Sequence, residues 1–372
     1  FIGIGGISMS GLAEILMREG FRVSGSDAHE SELTEHLAAA GAKVMYGQAA
    51  ANITDDMDLV VYTAAVHADN PEYAEVVRRG IPMMTRAELL GQIMKNYGEA
   101  IAISGTHGKT TTTSMVTEIL LAAEKDPTIS VGGILHSIGG NIRVGGPELF
   151  VTEACEYTNS FLSFFPTMEI ILNIEADHLD FFKDLDDIRH SFRLFAQKLD
   201  EKGLLIINRD IKNYEEISGG LPCRVVTFGH SSESDYSAAD ITYDAFARPT
   251  FNLMEQGKKA GTITLGVPGE HNVYNALAAI ATAKALGIPD AAIAEGLLHF
   301  TGTDRRFEKK GELNGITIID DYAHHPQEIA ATLKAAHNYP HKKLWCVFQP
   351  HTYTRTKAFL DEFAEALSAA DA

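Results

Sequence analysis

The sequence predicts an α/β protein with parallel sheets and helical crossovers. Short apolar segments alternate with amphipathic segments along almost all of the 372 residues, which is the pattern of strands joined by helices. Three strand-like segments begin new units, at residues 1–6, 100–108 and 316–321. Because a domain usually has about 100 to 200 residues, the length agrees with two or three domains.

Three domains are expected, over residues 1–98, 99–303 and 304–372. The first boundary follows a predicted helix over 86–95, and the second follows predicted helices over 272–286 and 289–298. Segments 240–247 and 262–265 resemble strands of an antiparallel insertion. The chain begins inside an apparent strand without an initiator Met and ends inside a helical pattern over 357–370. We therefore expect the first domain to lack its start. We also expect the last domain to be incomplete, because only two strands are predicted in it, over 316–319 and 344–348.

Composition excludes several classes of protein. The hydrophobic content of 45% is enough for real cores and excludes general disorder. The chain carries 31 Lys and Arg against 50 Asp and Glu, a formal charge of −19, so we expect no nucleic-acid or membrane partner and only local binding of anions. Three scattered cysteines favour a reducing cytoplasm over a disulfide framework. No segment indicates an obligate protein partner.

A glycine-rich turn follows the first predicted strand. Residues Gly5, Gly6, Ile7, Ser8 and Met9 lead from that strand into a helix, where backbone N–H groups can approach a diphosphate. Asp27 ends the next strand, at the position of a ribose-binding acid. Ser8 replaces the third glycine of the usual fingerprint, so a strand-to-helix turn without a ligand remains an alternative.

A second glycine loop is the strongest functional feature. Strand, glycines, Lys109 and Thr110 come in the order that a triphosphate site requires, within Gly105, Thr106, His107, Gly108, Lys109, Thr110 and Thr111. Lys109 would reach the β- and γ-phosphates, and Thr110 would bind Mg²⁺. In the usual triphosphate-binding motif the first glycine falls at the position of Ile103. The alternative interpretation is a Gly-Lys-Thr turn that occurs by chance and binds no phosphate.

Further candidates follow other predicted strands. Glu153 and His178 are candidate Mg²⁺ ligands beside the phosphate loop, although either could be an ordinary loop or capping residue. His271 and Asn275 share one helix face and could hold an adenine, with helix capping by Asn272 as the alternative. Charged and aromatic clusters at 305–307, 320–326 and 349–355 also stand at predicted strand ends. For the pair His324 and His325, substrate contact or capping is favoured over metal binding.

Taken together, these motifs resemble the Mur ligases of peptidoglycan synthesis. They are GIGG at 3–6, GTHGKT at 105–110, EACEY at 153–157, NIEADHLD at 173–180, HNV with Asn275 at 271–275, RRF at 305–307, DDYAHHP at 320–326 and QPHTYTR at 349–355. The resemblance implies a Rossmann-like domain for a UDP-sugar, a central P-loop ATPase domain and a Rossmann-like C-terminal domain. It also implies a bacterial, cytoplasmic enzyme.

The resemblance implies an activity and residue roles. The activity is ATP-dependent ligation of L-alanine to the lactyl carboxylate of UDP-N-acetylmuramate through an acyl phosphate, with ATP and Mg²⁺ as cofactors. Asp27, His67 and Asn70 would lie near the UDP-sugar with the first loop. The remaining positions are as follows: Asn272, Asn275, Arg306 and Asp321 for ATP; Tyr322, His324 and Arg355 for the amino acid; Thr110, Glu153 and His178 for metal; and Lys109, His178 and Arg355 for catalysis.

Some related ligases hold their second metal with a carbamylated lysine, but Phe192 and Arg193 stand at that position here, so no carbamate is expected.

Other functions explain fewer of the motifs. A nicotinamide dehydrogenase would leave Lys109 and Thr110 without a role, and a phosphate-loop motor would leave the first loop without one. A peptide-recycling ligase shares most motifs, and a non-catalytic relative would not need the full set of charged ATP-site groups.

Overall fold

The computed structural model describes residues 1–63 and 65–372. The N-terminal region is a parallel sheet built from two strand pairs joined at Ile2. Strand β1 (Ser24–Asp27) pairs with β2 (Lys43–Tyr46), and β3 (Val60–Tyr62) pairs with β4 (Met83–Thr85). Ile2 forms parallel bridges to both Ser26 and Tyr62. The predicted strand over 1–6 is therefore too long: it contracts to Ile2 because Gly3 adopts a left-handed φ of +83° and turns the chain.

Four helices pack around this sheet, and three of them begin at side-chain caps. They are α1 (Ile7–Arg18), α2 (Glu32–Ala39), α3 (Pro71–Arg79) and α4 (Arg86–Met94). Ser31, Asn70 and Thr85 accept hydrogen bonds from the free N–H groups at the starts of α2, α3 and α4. A short 3₁₀ helix at Ala50–Asn52 precedes β3.

The central region is a single ten-stranded sheet. Its strands are β5 (Glu99–Ser104), β6 (Thr128–Leu135), β7 (Gly140–Arg143), β8 (Leu149–Ala154), β9 (Met168–Ile171), β10 (Leu204–Asn208), β11 (Arg224–Gly229), β12 (Tyr236–Tyr243), β13 (Pro249–Glu255) and β14 (Lys258–Thr264). They are ordered β14-β13-β12-β11-β10-β9-β5-β8-β6-β7. Pairing is parallel from β6 across to β12 and antiparallel among β12, β13 and β14, which confirms the predicted antiparallel insertion.

Helices cover both faces of the central sheet. They are α5 (Lys109–Ala122), α6 (Leu185–Ala196), α7 (Glu215–Ser218), α8 (His271–Ala285) and α9 (Asp290–His299). One face buries aliphatic residues of α5, α8 and α9, and the other buries the stacked rings of Phe161 and Phe195. Helix α9 crosses α5 so closely that a Cβ on Gly296 would lie 2.6 Å from the Ile119 backbone. This packing holds α5, the helix that begins where the phosphate loop ends.

The C-terminal region contains a hairpin and three helices. The antiparallel hairpin is β15 (Glu308–Leu313) with β16 (Ile316–Asp320), and the helices are α10 (Pro326–His337), α11 (Tyr353–Ala358) and α12 (Leu360–Leu367). The predicted helix over 357–370 is divided at Phe359, where the chain leaves helical geometry between α11 and α12.

The prediction of a strand over residues 344–348 is wrong. Its side chains alternate as the pattern predicted, with Leu344, Cys346 and Phe348 packed on a helical core and Trp345 and Val347 exposed. Its backbone bonds only to the chain end, from Cys346 N to Ala372 O at 2.8 Å and from Asp371 N to Leu344 O at 2.9 Å. Without a neighbouring strand among the described residues, alternation does not produce a ladder. None of the described helices has both the length and the apolar character needed to span a membrane.

Candidate active site

The phosphate loop connects β5 to α5 at the carboxyl edge of the central sheet. Gly108 has a φ of +83°, and a Cβ there would lie 2.5 Å from Asn275 Oδ1, so both backbone geometry and space require glycine. The loop is held by its neighbour after β9: Asn173 O accepts from Thr106 N at 3.2 Å and Asn173 Oδ1 accepts from His107 N at 2.8 Å. The N–H groups at the start of α5 thus have a fixed direction.

Lys109 lies in a buried charge cluster. Its Nζ donates to the backbone carbonyls of Gly105 and Thr106 and lies 3.1 Å from Glu156 Oε2. Burial disfavours the charge of Lys109, but the Glu156 carboxylate outweighs it and raises the lysine pKa. His178 Nε2 is 3.7 Å from Glu156 Oε1, and burial lowers the pKa of His178. The cluster therefore holds a charged lysine and favours a neutral imidazole at the end of the phosphate loop.

Two of the predicted metal ligands, Thr110 and Glu153, flank the glycines of β6. Glu153 Oε1 accepts from Gly132 N at 2.5 Å, and a Cβ on Gly133 would lie 3.2 Å from Thr110 Cγ2. Within the described residues, Glu153 Oε2 has no hydrogen bond. The third predicted ligand, His178, stacks on the Tyr157 ring with centroids 4.5 Å apart. Hydroxyl and carboxylate oxygens are suitable ligands for Mg²⁺, so the first two residues fit that ion.

A cavity of about 310 Å³ opens between the phosphate loop, the start of α8 and the C-terminal region. Predicted ATP-site residues on its wall are His107, Gly108, Thr111, Asn272, Asn275, Arg306 and Asp321. The cavity is lined with both apolar and polar groups, as ligand sites usually are.

The structure explains how the cavity walls are held. Asn275 Nδ2 donates to Asn272 Oδ1 at 3.0 Å, and Asn272 Nδ2 donates to Pro268 O at 2.7 Å. Asn272 is therefore not a helix cap. Asp321 accepts from the N–H groups of Phe307 at 2.8 Å and Ala323 at 2.7 Å, while burial raises its pKa.

Sequence reasoning missed one side of this cavity. His230 stacks on Tyr274 with ring centroids 3.7 Å apart, and its Nδ1 lies 2.6 Å from Asp210 Oδ2. Asp210 and His230 follow β10 and β11, so the rule that ligands collect at carboxyl ends of parallel strands could have found them. His271, which the sequence predicted together with Asn275, lines the cavity as well, and burial lowers its pKa to about 4.

The predicted UDP-sugar residues lie at the carboxyl edge of the N-terminal sheet. Gly5 N donates to Asp27 Oδ2 at 2.8 Å, so the first turn and the acid after β1 are in direct contact. Gly6 precedes α1, Ile7 and Ser8 open it, and Met9 is buried in the core.

Two further predicted UDP-sugar residues stand before α3. Asn70 caps this helix through Glu72 N at 2.9 Å and Tyr73 N at 3.2 Å, and it also donates to Gln48 Oε1. His67 is exposed, and its carbonyl accepts from Asn70 N. The side-chain oxygen of Asn70 is thus occupied by the helix, whereas His67 is accessible.

The predicted amino-acid residues come from the C-terminal region. Arg355 forms a buried ion pair with Asp177, from Nε at 3.1 Å and from Nη2 at 3.0 and 3.3 Å. His324 Nδ1 lies 2.9 Å from Tyr322 O, and the two rings are 5.3 Å apart. The sequence did not predict that Arg355 pairs with Asp177. This ion pair connects the C-terminal region to the loop that carries His178.

Three family models match successive parts of the chain. Residues 1–98 match the description "Mur ligase family, catalytic domain", residues 103–283 the "Mur ligase middle domain" and residues 305–372 the "Mur ligase, glutamate ligase domain". A UDP-N-acetylmuramate–L-alanine ligase of Lachnospira eligens is 65% identical over all of this chain and 81% of its own length. The chain belongs to the Mur ligase family.

Solved structures of other Mur ligases share the fold. The UDP-N-acetylmuramate–alanine ligase of Thermotoga maritima is 34% identical with a TM-score of 0.83, covering 100% of this chain and 83% of that one. A UDP-N-acetylmuramate:L-alanyl-γ-D-glutamyl-meso-diaminopimelate ligase from Neisseria is 29% identical with a TM-score of 0.73, covering 82% and 98%. As a Mur ligase, the chain has the three-domain α/β architecture that its sequence predicted.

Proposed function

We infer that this Mur ligase joins L-alanine to the lactyl carboxylate of UDP-N-acetylmuramate, with conversion of ATP to ADP and phosphate, in peptidoglycan synthesis. The relative of 65% identity carries that activity in its name, and so does the Thermotoga structure. The observation that carries the chemistry is the cavity of about 310 Å³ whose wall includes the phosphate loop. We propose domains over residues 1–98, 99–303 and 304–372 and a bacterial cytoplasmic location.

ATP is proposed to lie in this cavity with its phosphates at the start of α5. Backbone N–H groups of residues 105–111 would bind the phosphate oxygens, assisted by the positive end of the helix. The Asn272–Asn275 pair and the His230–Tyr274 stack would hold the base, and Arg306 and Asp321 would face the sugar and phosphates. Lys109 Nζ would exchange Glu156 for a phosphate oxygen as the nucleotide enters.

We propose that Thr110 and Glu153 hold a Mg²⁺ ion and that His178 serves a second one. The Oε2 of Glu153, which has no hydrogen bond within the described residues, and the Thr110 hydroxyl, on the other side of the β6 glycines, would supply oxygen donors. When bound, Mg²⁺ would spread the charge of the phosphoryl group in transfer. The residues of the chain would contribute to catalysis by holding charged groups in position. Glu156, for example, holds Lys109 in its ionised form beside the phosphate loop.

The other substrates are proposed to approach this centre from either side. The first glycine turn, with Asp27 and His67, would bind the UDP-sugar and direct its lactyl carboxylate toward the phosphate loop. Arg355, with Tyr322 and His324 of the same C-terminal region, would bind the carboxylate of alanine. The lactyl carboxylate would attack the γ-phosphorus of ATP and release ADP, which gives an acyl phosphate. The amine of alanine would then attack the acyl carbon, lose a proton and release phosphate as the amide forms. Positioning and charge stabilisation would supply most of the catalysis.

One assay tests the proposal. Phosphate release from ATP is measured with UDP-N-acetylmuramate and, separately, alanine, glycine, serine or the tripeptide L-Ala-γ-D-Glu-meso-diaminopimelate. The proposal expects the highest kcat/KM with alanine and no release without the UDP-sugar. Preference for the tripeptide would instead assign to the chain the tripeptide-ligase activity named for the Neisseria structure.

A further inference from the structure

A cluster of two histidines and two carboxylates lies between the central and C-terminal regions. His107 comes from the phosphate loop, Glu175 from the segment after β9, and His325 and Glu328 from the start of α10. One donor atom each of His107, Glu175 and His325 lie within 4.8 Å of one another. The cluster is separate from the proposed Mg²⁺ ligands Thr110, Glu153 and His178.

Hydrogen bonding inside this cluster is incomplete. His107 Nε2 and Glu175 Oε2 are 3.2 Å apart, yet both are buried atoms without a hydrogen bond among the described residues. The ring nitrogens of His325 make only long contacts, at 3.3 Å to Ala176 O and 3.4 Å from Gln327 N. Because buried polar atoms are nearly always partnered, two atoms that approach each other without an aligned hydrogen bond retain bonding capacity that a shared ligand would satisfy.

Glu328 prepares His107 for binding a metal. Its Oε1 lies 3.1 Å from His107 Nδ1, and its Oε2 accepts from His324 N at 2.9 Å. A carboxylate on one imidazole nitrogen places the proton there and leaves the lone pair of the other nitrogen free for a metal. In this cluster the nitrogen left free is Nε2, the atom that faces Glu175.

The donor set also selects the kind of ion. Two imidazoles and a carboxylate suit Zn²⁺ and similar transition-metal ions, whereas Mg²⁺ and Ca²⁺ prefer oxygen ligands. Ligand atoms about 2.1 Å from a tetrahedral ion stand roughly 3.4 Å apart, so His107 and Glu175 already have a suitable spacing. The donor atom of His325 lies at most 4.8 Å from the other two donor atoms. Rotation of its side chain therefore has to shorten that distance by at most roughly 1.4 Å to reach the tetrahedral spacing.

We propose that His107, Glu175 and His325 bind one divalent transition-metal ion such as Zn²⁺, with Glu328 orienting His107. Two ligands belong to the central region and one to the C-terminal region. The bound ion therefore connects the two across the proposed nucleotide cavity and fixes a residue of the phosphate loop. This site is independent of the identity of the amino acid or sugar that the enzyme uses.

Direct binding of Zn²⁺ to the full chain tests this proposal. Protein freed of metal by chelation is titrated with Zn²⁺ in the presence of a competing chromophoric chelator, without nucleotide. We expect one site, weakened tenfold or more by His325→Ala and by Glu175→Gln. Glu328→Gln should also weaken it by about tenfold, the usual effect of removing a carboxylate behind a ligating histidine. Excess Mg²⁺ should not displace the ion.

Controls separate metal binding from folding. His299, exposed on α9, provides the matched variant His299→Ala, which should bind Zn²⁺ as the parent does. Each variant is also compared by thermal unfolding without metal, and Glu175→Gln serves if His325→Ala does not fold. Co²⁺ substitution should give the visible absorption of a tetrahedral site, lost in Glu175→Gln. Equal Zn²⁺ affinity in the parent and both ligand variants, or loss of binding only in His178→Ala, would overturn the proposal.

Discussion

Replacing Lys109 with Met should affect stability and catalysis by separable amounts. Lys109 and Glu156 side chains are 16% and 3% exposed and 3.1 Å apart, so the substitution leaves a carboxylate buried without its cation. Removing one partner of such a pair typically costs about 3–5 kcal/mol of unfolding free energy. Loss of one preorganised cation at the phosphates should lower kcat by about 10²-fold or more.

The double variant Lys109→Met with Glu156→Gln distinguishes the two effects. Because the glutamine carries no charge, it should recover much of the lost stability, while amide formation stays abolished. Urea unfolding provides the first measurement and phosphate release the second, and binding of the UDP-sugar should stay close to that of the parent in both variants. If Lys109→Met turns over at a normal rate, or if the double variant is as unstable as the single one, the proposed role of this pair is refuted.

Three further predictions concern separate parts of the chain. Arg355→Lys should raise the KM for alanine about tenfold or more, because lysine cannot bind a carboxylate bidentately, with smaller changes in the KM of ATP and the UDP-sugar; equal shifts in all three would contradict this. Gly5→Ala places a Cβ 2.7 Å from Thr34 Cγ2 and 2.9 Å from Asp27 Oδ2, so calorimetry should detect weaker UDP-sugar binding and unchanged ATP binding. Glu169 is fully buried, and neither of its carboxylate oxygens has a hydrogen bond within the part of the chain that the structure describes, so burial raises its pKa well above the usual value. The folded state therefore retains a proton that the unfolded chain loses, and stability falls as pH rises above the usual carboxyl pKa. Glu169→Gln should remove this loss, so its advantage in urea unfolding should grow from pH 5 to pH 8, whereas a constant difference would count against the assignment.

Local motifs were predictable because they depend on short-range geometry. A glycine loop between a strand and a helix forms from a few consecutive residues, so the turns before α1 and α5 were found at their correct positions. The same holds for helix boundaries marked by caps such as Thr85. The antiparallel insertion was also predictable, since the strand-like segments at 240–247 and 262–265 overlap β12 and β14, both of which pair with β13.

Contacts between regions were not predictable from one sequence. Arg355 and Asp177 are 178 positions apart, and His107 and Glu328 are 221 apart. Nothing in either local pattern specifies the partner, because tertiary packing decides which charged groups meet. The wrong strand prediction over 344–348 has the same origin, since pairing depends on another part of the chain and no strand among the described residues lies beside this segment.

The charges of the site explain how a chain of net charge −19 can serve anionic substrates. Lys109 is paired with Glu156 and Arg355 with Asp177. Each carboxylate offsets the charge of its cation in a buried place where an isolated charge would be costly. A phosphate or a substrate carboxylate then replaces a carboxylate of the chain, so binding depends on the difference between two ion pairs. The surrounding negative charge thus disfavours the binding of anions in general, while these two positions admit those that fit.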